Sequence, residues 1–97
     1  MPFFITRIEL HSADEGDYLH LHAAMQDEGF SRQITGGEGK TYHLPTAEYH
    51  CAGSDLTIKK VLEDAQRAAG STNCKYGVIV TEAARCTWKY LPEVRRR

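Results

Sequence analysis

The chain has 97 residues, of which 41% are hydrophobic and 26% are charged, and its formal net charge is −1. This length predicts one domain with a single core over residues 1–94, followed by a basic tail at 95–97. The charge argues against a non-specific nucleic-acid binder, which is normally clearly basic. No apolar run approaches the roughly 20 residues that cross a bilayer, so we expect no membrane partner.

The cysteines indicate a reducing compartment. Cys51, Cys74 and Cys86 are odd in number and lack CxxC spacing, and Arg7 interrupts the short apolar start, so no signal peptide is expected. We therefore expect free thiols and a cytoplasmic protein. Because no Cys/His zinc spacing is present, neither a metal nor another cofactor is predicted.

The first half of the chain predicts strand, helix and strand. Residues 3–10 alternate, with one face apolar (Phe4, Thr6, Ile8, Leu10) and the other mixed (Phe3, Ile5, Arg7, Glu9). Tyr18, Leu21 and Met25 then form a helical stripe, for which Asp17 can serve as N-cap and Gly29 as C-terminal stop. Residues 30–35 predict the second strand.

The second half begins with the Gly-Gly-Glu-Gly turn at 36–39, which predicts a hairpin. Residues 41–52 predict a third strand with an edge position or bulge at Pro45. Apolar residues at helical spacing over 58–69 predict a second helix, capped by Ser54, Asp55 or Thr57 and ended by Gly70. Residues 76–82 predict a fourth strand and 87–91 a shorter fifth.

The resulting order β-α-β-β-α-β is that of the ferredoxin-like fold, an α+β antiparallel sheet with two helices on one face. The uncovered face would carry Phe3, Ile5 and Ile79 beside polar residues. Exposed apolar patches often mark protein interfaces. We therefore expect a homodimer that packs sheet to sheet.

Polar residues at the end of the first strand suggest nuclease chemistry. Arg7 and Glu9 point the same way, and His11 follows where the strand ends. A histidine or carboxylate can accept a proton from an RNA 2′-hydroxyl, and an arginine can neutralise the pentavalent phosphorane. A metal-independent ribonuclease needs these residue types, although they are also common at any polar strand end.

The remaining histidines give weaker signals. His50 shares the open face with Glu48 and can lie across from the first strand. It is either a residue of the site or a member of a group of solvent-exposed charged residues that pair across the strands. His20 and His22 resemble a metal-binding pair. On a helix, however, residues two apart point about 200° from each other and cannot share an ion.

Three segments carry a resemblance to a known family: Ile8-Glu9, the helix phrase Tyr18-Leu19-His20-Leu21-His22-Ala23-Ala24-Met25, and Gly29-Phe30-Ser31. In them the chain resembles the GhoS family, small antitoxins of type V toxin–antitoxin systems. Those proteins are similar in fold to the small subunit of the CRISPR integration complex. The match covers about residues 3–34 and otherwise only the topology, and Glu9 stands where an aspartate would match more closely.

The resemblance implies an endoribonuclease that cuts the messenger RNA of a membrane-acting toxin. It carries over Arg7 and Glu9 as site candidates, while His11 and His50 come from the strand pattern alone. RNA would be held single-stranded, and the candidates for its phosphates are Arg32, Lys40, Arg95, Arg96 and Arg97. The alternative is a non-catalytic dimeric module that binds a protein or nucleic acid, because the fold alone does not decide function.

Overall fold

The computed structural model describes residues 3–95, which form an α+β fold. Its elements are β1 (Phe3–Leu10), α1 (Glu15–Asp27), β2 (Gln33–Thr35), β3 (Thr41–His43), β4 (Glu48–Ala52), α2 (Ile58–Gly70) and β5 (Tyr76–Ala83). An antiparallel sheet has the strand order β4-β1-β5, and β2 and β3 form a separate two-stranded sheet. Among these residues, neither helix is long and apolar enough to cross a membrane.

The central strand β1 confirms the predicted alternation. Phe4, Thr6, Ile8 and Leu10 are all buried, whereas Arg7 and Glu9 on the opposite face are exposed. Both helices cover the buried face, since Leu21 and Met25 of α1 and Val61 and Ala65 of α2 join the same core cluster. The other face of the sheet is thereby left without a helix, as predicted.

The helix ends are set by side-chain caps. Asp14, one turn before the predicted cap, is the N-cap of α1, and its carboxylate accepts from the Asp17 amide at 2.9 Å. The Asp17 carboxylate accepts from the Asp14 amide at 3.1 Å in return, which completes a capping box. Thr57 caps α2 as one of the predicted alternatives. Gly29 follows α1 with a φ of 94°, a conformation that favours glycine.

The predicted third strand is divided into β3 and β4. The chain turns between them after Pro45, and Ala47 adopts a left-handed conformation with a φ of 66°. As a result β3 leaves the main sheet and pairs with β2, while β4 stays beside β1. The sequence predicted a disturbance at Pro45 but not this change of sheet.

The prediction of a fifth strand at 87–91 is wrong. That segment has no strand structure. The residues that follow it extend the small sheet instead. The His43 amide donates to the Pro92 carbonyl and the Val94 amide donates to the Thr41 carbonyl, both at 2.8 Å. Within that segment, Trp88 packs edge-on against Tyr42 with ring centroids 5.5 Å apart. Its burial therefore comes from side-chain packing.

The segment that leads into β2 joins the two sheets. Ser31 and His50 exchange both backbone hydrogen bonds, at 2.8 and 2.7 Å, and the Leu44 amide donates to the Arg32 carbonyl at 2.8 Å. Ser31 therefore lies beside the outer edge of β4. This pairing fixes the small sheet next to the main one.

Candidate functional site

Arg7 lies at the centre of the open sheet face. It is exposed and stands directly between Glu48 of β4 and Ile79 of β5. Glu48 is thus the carboxylate nearest to it in the sheet register, because directly opposed residues in antiparallel strands have Cβ atoms about 5 Å apart. The guanidinium is available to a ligand on this face.

Glu9 and His11 form the predicted pair at the end of β1. Glu9 Oε1 and His11 Nδ1 are 3.9 Å apart, and both side chains are more than half exposed. An exposed contact of this length is screened by water and contributes little to stability. The His11 amide donates to the Lys75 carbonyl at 2.8 Å, so the backbone of this histidine is held in place while its ring faces solvent.

His50 lies at the other end of the open face. It pairs with Ile5, and its ring packs against Phe3 with centroids 5.7 Å apart. Burial lowers the pKa of His50, so the ring is neutral at pH 7. Because a strand rises about 3.3 Å per residue, His50 and His11 are on the order of 20 Å apart. The four predicted catalytic residues therefore do not form one cluster.

The described RNA-binding candidates gather around the small sheet. Lys40 and Arg95 border one groove of about 990 Å³, and Arg32 borders another of about 570 Å³. Gln33 lines both grooves, so the two adjoin. Arg96 and Arg97, the other two candidates, lie outside the described residues.

A hydrogen-bonded pair that the sequence did not predict lies beside Arg32. His22 Nδ1 and the Tyr49 hydroxyl are 2.7 Å apart, and Tyr49 is fully buried. Burial raises the pKa of Tyr49 to about 12, so this phenol keeps its proton. Burial, and secondarily the charge of Arg32, lower the pKa of His22. Two neutral groups thus share one short hydrogen bond.

The two α1 histidines have separate surroundings. His20 Nε2 lies 3.3 Å from the Ser71 hydroxyl at the end of α2, whereas His22 contacts Tyr49 of β4. This divergence follows from the angle between residues two apart on a helix. Residues 3–95 hold no group of three or more His, Cys, Asp or Glu placed to bind a metal. His22 follows Tyr18 by four residues and therefore lies on the same face of α1, a spacing that could have indicated that His22 is half-buried.

No protein-family model matches the sequence, and no curated protein is significantly similar to it. The resemblance of residues 3–34 to the GhoS antitoxins therefore stays a prediction. Evidence for function must come from the arrangement of the side chains.

Proposed function

We propose that the chain is a small endoribonuclease of antitoxin type that acts on single-stranded RNA in the cytoplasm. The fold assigned with this proposal is ferredoxin-like. The support is the Ser31–His50 pairing, which adds the segment before β2 to the edge of β4. With that segment counted as a strand, the sheet has four strands in β-α-β-β-α-β order, and the β2–β3 hairpin is an extension of it.

The observation that carries the proposal is the grouping of Arg32, Lys40 and Arg95 on a chain whose net charge is −1. Among the described residues that line the two adjoining grooves, Glu93 is the single carboxylate. A local basic surface attracts phosphates even when the total charge is near zero. Several phosphate contacts along a groove are typical of proteins that hold single-stranded nucleic acid.

The proposed chemistry uses Glu9 and His11 at the end of β1 together with Arg7 at the centre of the same open face. His11, held near Glu9, accepts the proton of a 2′-hydroxyl, whose oxygen then attacks the adjacent phosphorus. Arg7 stabilises the charge of the phosphorane. The bond to the 5′-oxygen breaks, and this oxygen takes a proton from water while His11 returns its proton to solvent. The products are a 2′,3′-cyclic phosphate and a free 5′-hydroxyl. His50, a diagonal neighbour of Arg7 in the sheet, is the alternative base.

The test is cleavage of a labelled single-stranded RNA by the purified chain and by four variants: Arg7→Ala, Glu9→Gln, His11→Ala and His50→Ala. Loss of a general base or of the phosphorane partner lowers kcat by about 10²-fold or more. Thr81→Ala, an exposed change on the same face, is the control and leaves kcat unchanged. Wild-type rates in all four variants would remove this site, and binding without cleavage would favour the non-catalytic module.

The second candidate, a homodimeric binding module, is favoured by one observation. Ile79 is 63% exposed on the open face, on which Phe3 and Ile5 are also half-buried. A dimer that packs sheet to sheet would bury this patch. We expect Ile79→Asp to convert a dimer to a monomer in light scattering. Leu19→Asp on α1, where the leucine is 62% exposed, is the matched control and leaves the mass unchanged.

A further inference from the structure

We propose that the 570 Å³ groove beside α1, here called the His22 groove, is a binding site for a phosphate group. Its polar lining consists of His22, Gln26, Ser31, Arg32, Gln33 and His43. No acidic residue of the described chain lines it, although the whole chain contains 13 acidic and 12 basic residues. A groove lined by hydrogen-bond donors and an arginine is suited to an anion.

Tyr49 determines which nitrogen of His22 can donate to a ligand. The buried phenol keeps its proton, and its hydroxyl lies 2.7 Å from His22 Nδ1. Residues 3–95 offer this buried hydroxyl no other hydrogen-bond partner, so we assign it as the donor and Nδ1 as the acceptor, which leaves the hydrogen of the neutral ring on Nε2. His22 thus offers an N–H donor to the groove without carrying a charge. The pairing also holds the ring in one orientation.

Arg32 supplies the positive charge. It forms no ion pair with a carboxylate of residues 3–95, so its guanidinium is not neutralised there. Its charge acts on both His22 and Tyr49, although burial has the larger effect and lowers the pKa of His22 while it raises that of Tyr49. A planar guanidinium binds two phosphate oxygens at once, a geometry that lysine does not provide.

The backbone beneath the groove is held by hydrogen bonds. Ser31 is paired in both directions with His50, the Arg32 carbonyl accepts from Leu44, and the Ser31 hydroxyl accepts from the Gln33 amide at 3.0 Å. These contacts fix the positions of the donors before a ligand arrives, which reduces the entropy lost on binding. The volume lies within the range of small-molecule sites and exceeds that of a phosphate ion. This volume is sufficient for a nucleotide.

This groove contains Arg32, one of the phosphate contacts of the proposed function, but it is separate from Arg7, Glu9 and His11, and it stands whether or not the chain cleaves RNA. The test is a ¹⁵N–¹H NMR spectrum of the histidine rings of the full chain at pH 7 and constant ionic strength. Inorganic phosphate, adenosine 5′-monophosphate and the dinucleotide ApA are titrated separately, with adenosine as the control. We expect saturable shifts of the His22 ring with the phosphate compounds and none with adenosine.

The three ligands identify the source of the phosphate. Binding of inorganic phosphate and the monophosphate alone would assign the site to phosphomonoesters. Binding of ApA as well would assign it to the phosphodiesters of a nucleic-acid strand. No shift with any of the three, or equal binding of adenosine and its monophosphate, would overturn the proposal.

Two variants test the roles of the residues. Arg32→Ala should raise the Kd for phosphate by about tenfold or more, whereas Arg85→Ala, an exposed arginine near another cavity, should leave it unchanged. Tyr49→Phe keeps the buried ring but removes the donor. It should change the His22 nitrogen shifts from the Nε2–H tautomer to a mixture of both tautomers. An unchanged Kd in Arg32→Ala would refute the site, and an unchanged tautomer would refute the role of Tyr49.

Discussion

Thr6 in the central strand provides a direct test of the core. Its side chain is fully buried between Tyr49 and Val80, and within the described residues its hydroxyl has no hydrogen-bond partner. A buried hydroxyl without a partner costs about 1–3 kcal/mol. Thr6→Val removes this penalty, adds an apolar methyl group and keeps the β-branched shape. We expect the free energy of unfolding to rise by about 1–2 kcal/mol.

The measurement is equilibrium unfolding in urea, in which the midpoint should rise while the m-value stays constant. A gain of about 1 kcal/mol corresponds to a rise in Tm of roughly 4–8 °C for a domain of this size. Thr81→Val, at an exposed position on the opposite face of the sheet, is the matched control and should stay within about 0.5 kcal/mol. An unchanged or lowered stability of Thr6→Val would show that the hydroxyl is hydrogen-bonded in the folded protein.

The remaining predictions use the same unfolding assay. Asp14→Ala removes the cap of α1 and should lower the free energy of unfolding by about 1 kcal/mol; no loss would contradict the capping box. Gly29→Ala should lower the free energy of unfolding by about 1–2 kcal/mol because the φ of Gly29 is positive. Gly70→Ala, inside α2, is the control and should raise the free energy of unfolding slightly. Equal effects of the two changes would exclude backbone strain at Gly29. Burial lowers the pKa of His22 and His50 from 6.5, so the unfolded chain binds protons first and stability should fall as the pH drops below about 6.5. Replacing both histidines by glutamine should reduce that slope, and an unchanged slope would assign it to other groups.

The helices and the central strand could be predicted because each depends on a local pattern. The strict alternation over residues 3–10 and the helical spacing over 58–69 are set by burial of one face. The cap of α1 was misplaced because Asp14 and Asp17 are both suitable cap residues, and their reciprocal hydrogen bonds exist only in the folded turn.

The errors arose where distant segments decide the structure. Residues 41–52 predict one strand disturbed at Pro45, whereas in the structure the turn after Pro45, with the left-handed backbone at Ala47, divides them between two sheets. In the segment 87–91, Trp88 packs on the ring of Tyr42 and not within a strand. Likewise, the sequence indicates that His22 borders the buried stripe of α1. It cannot indicate that Tyr49 is the hydrogen-bond partner, since β4 is placed there by the tertiary fold.

The position of β1 between β4 and β5 has a consequence for folding. β1 precedes both of its partners in the chain, and the register joins Phe3 to Ala52 and to Ala83. The first pairing cannot form during synthesis until residue 52 has been made, and the second not until residue 83. The main sheet is therefore built from contacts distant in sequence, which slow folding because long loops must close first.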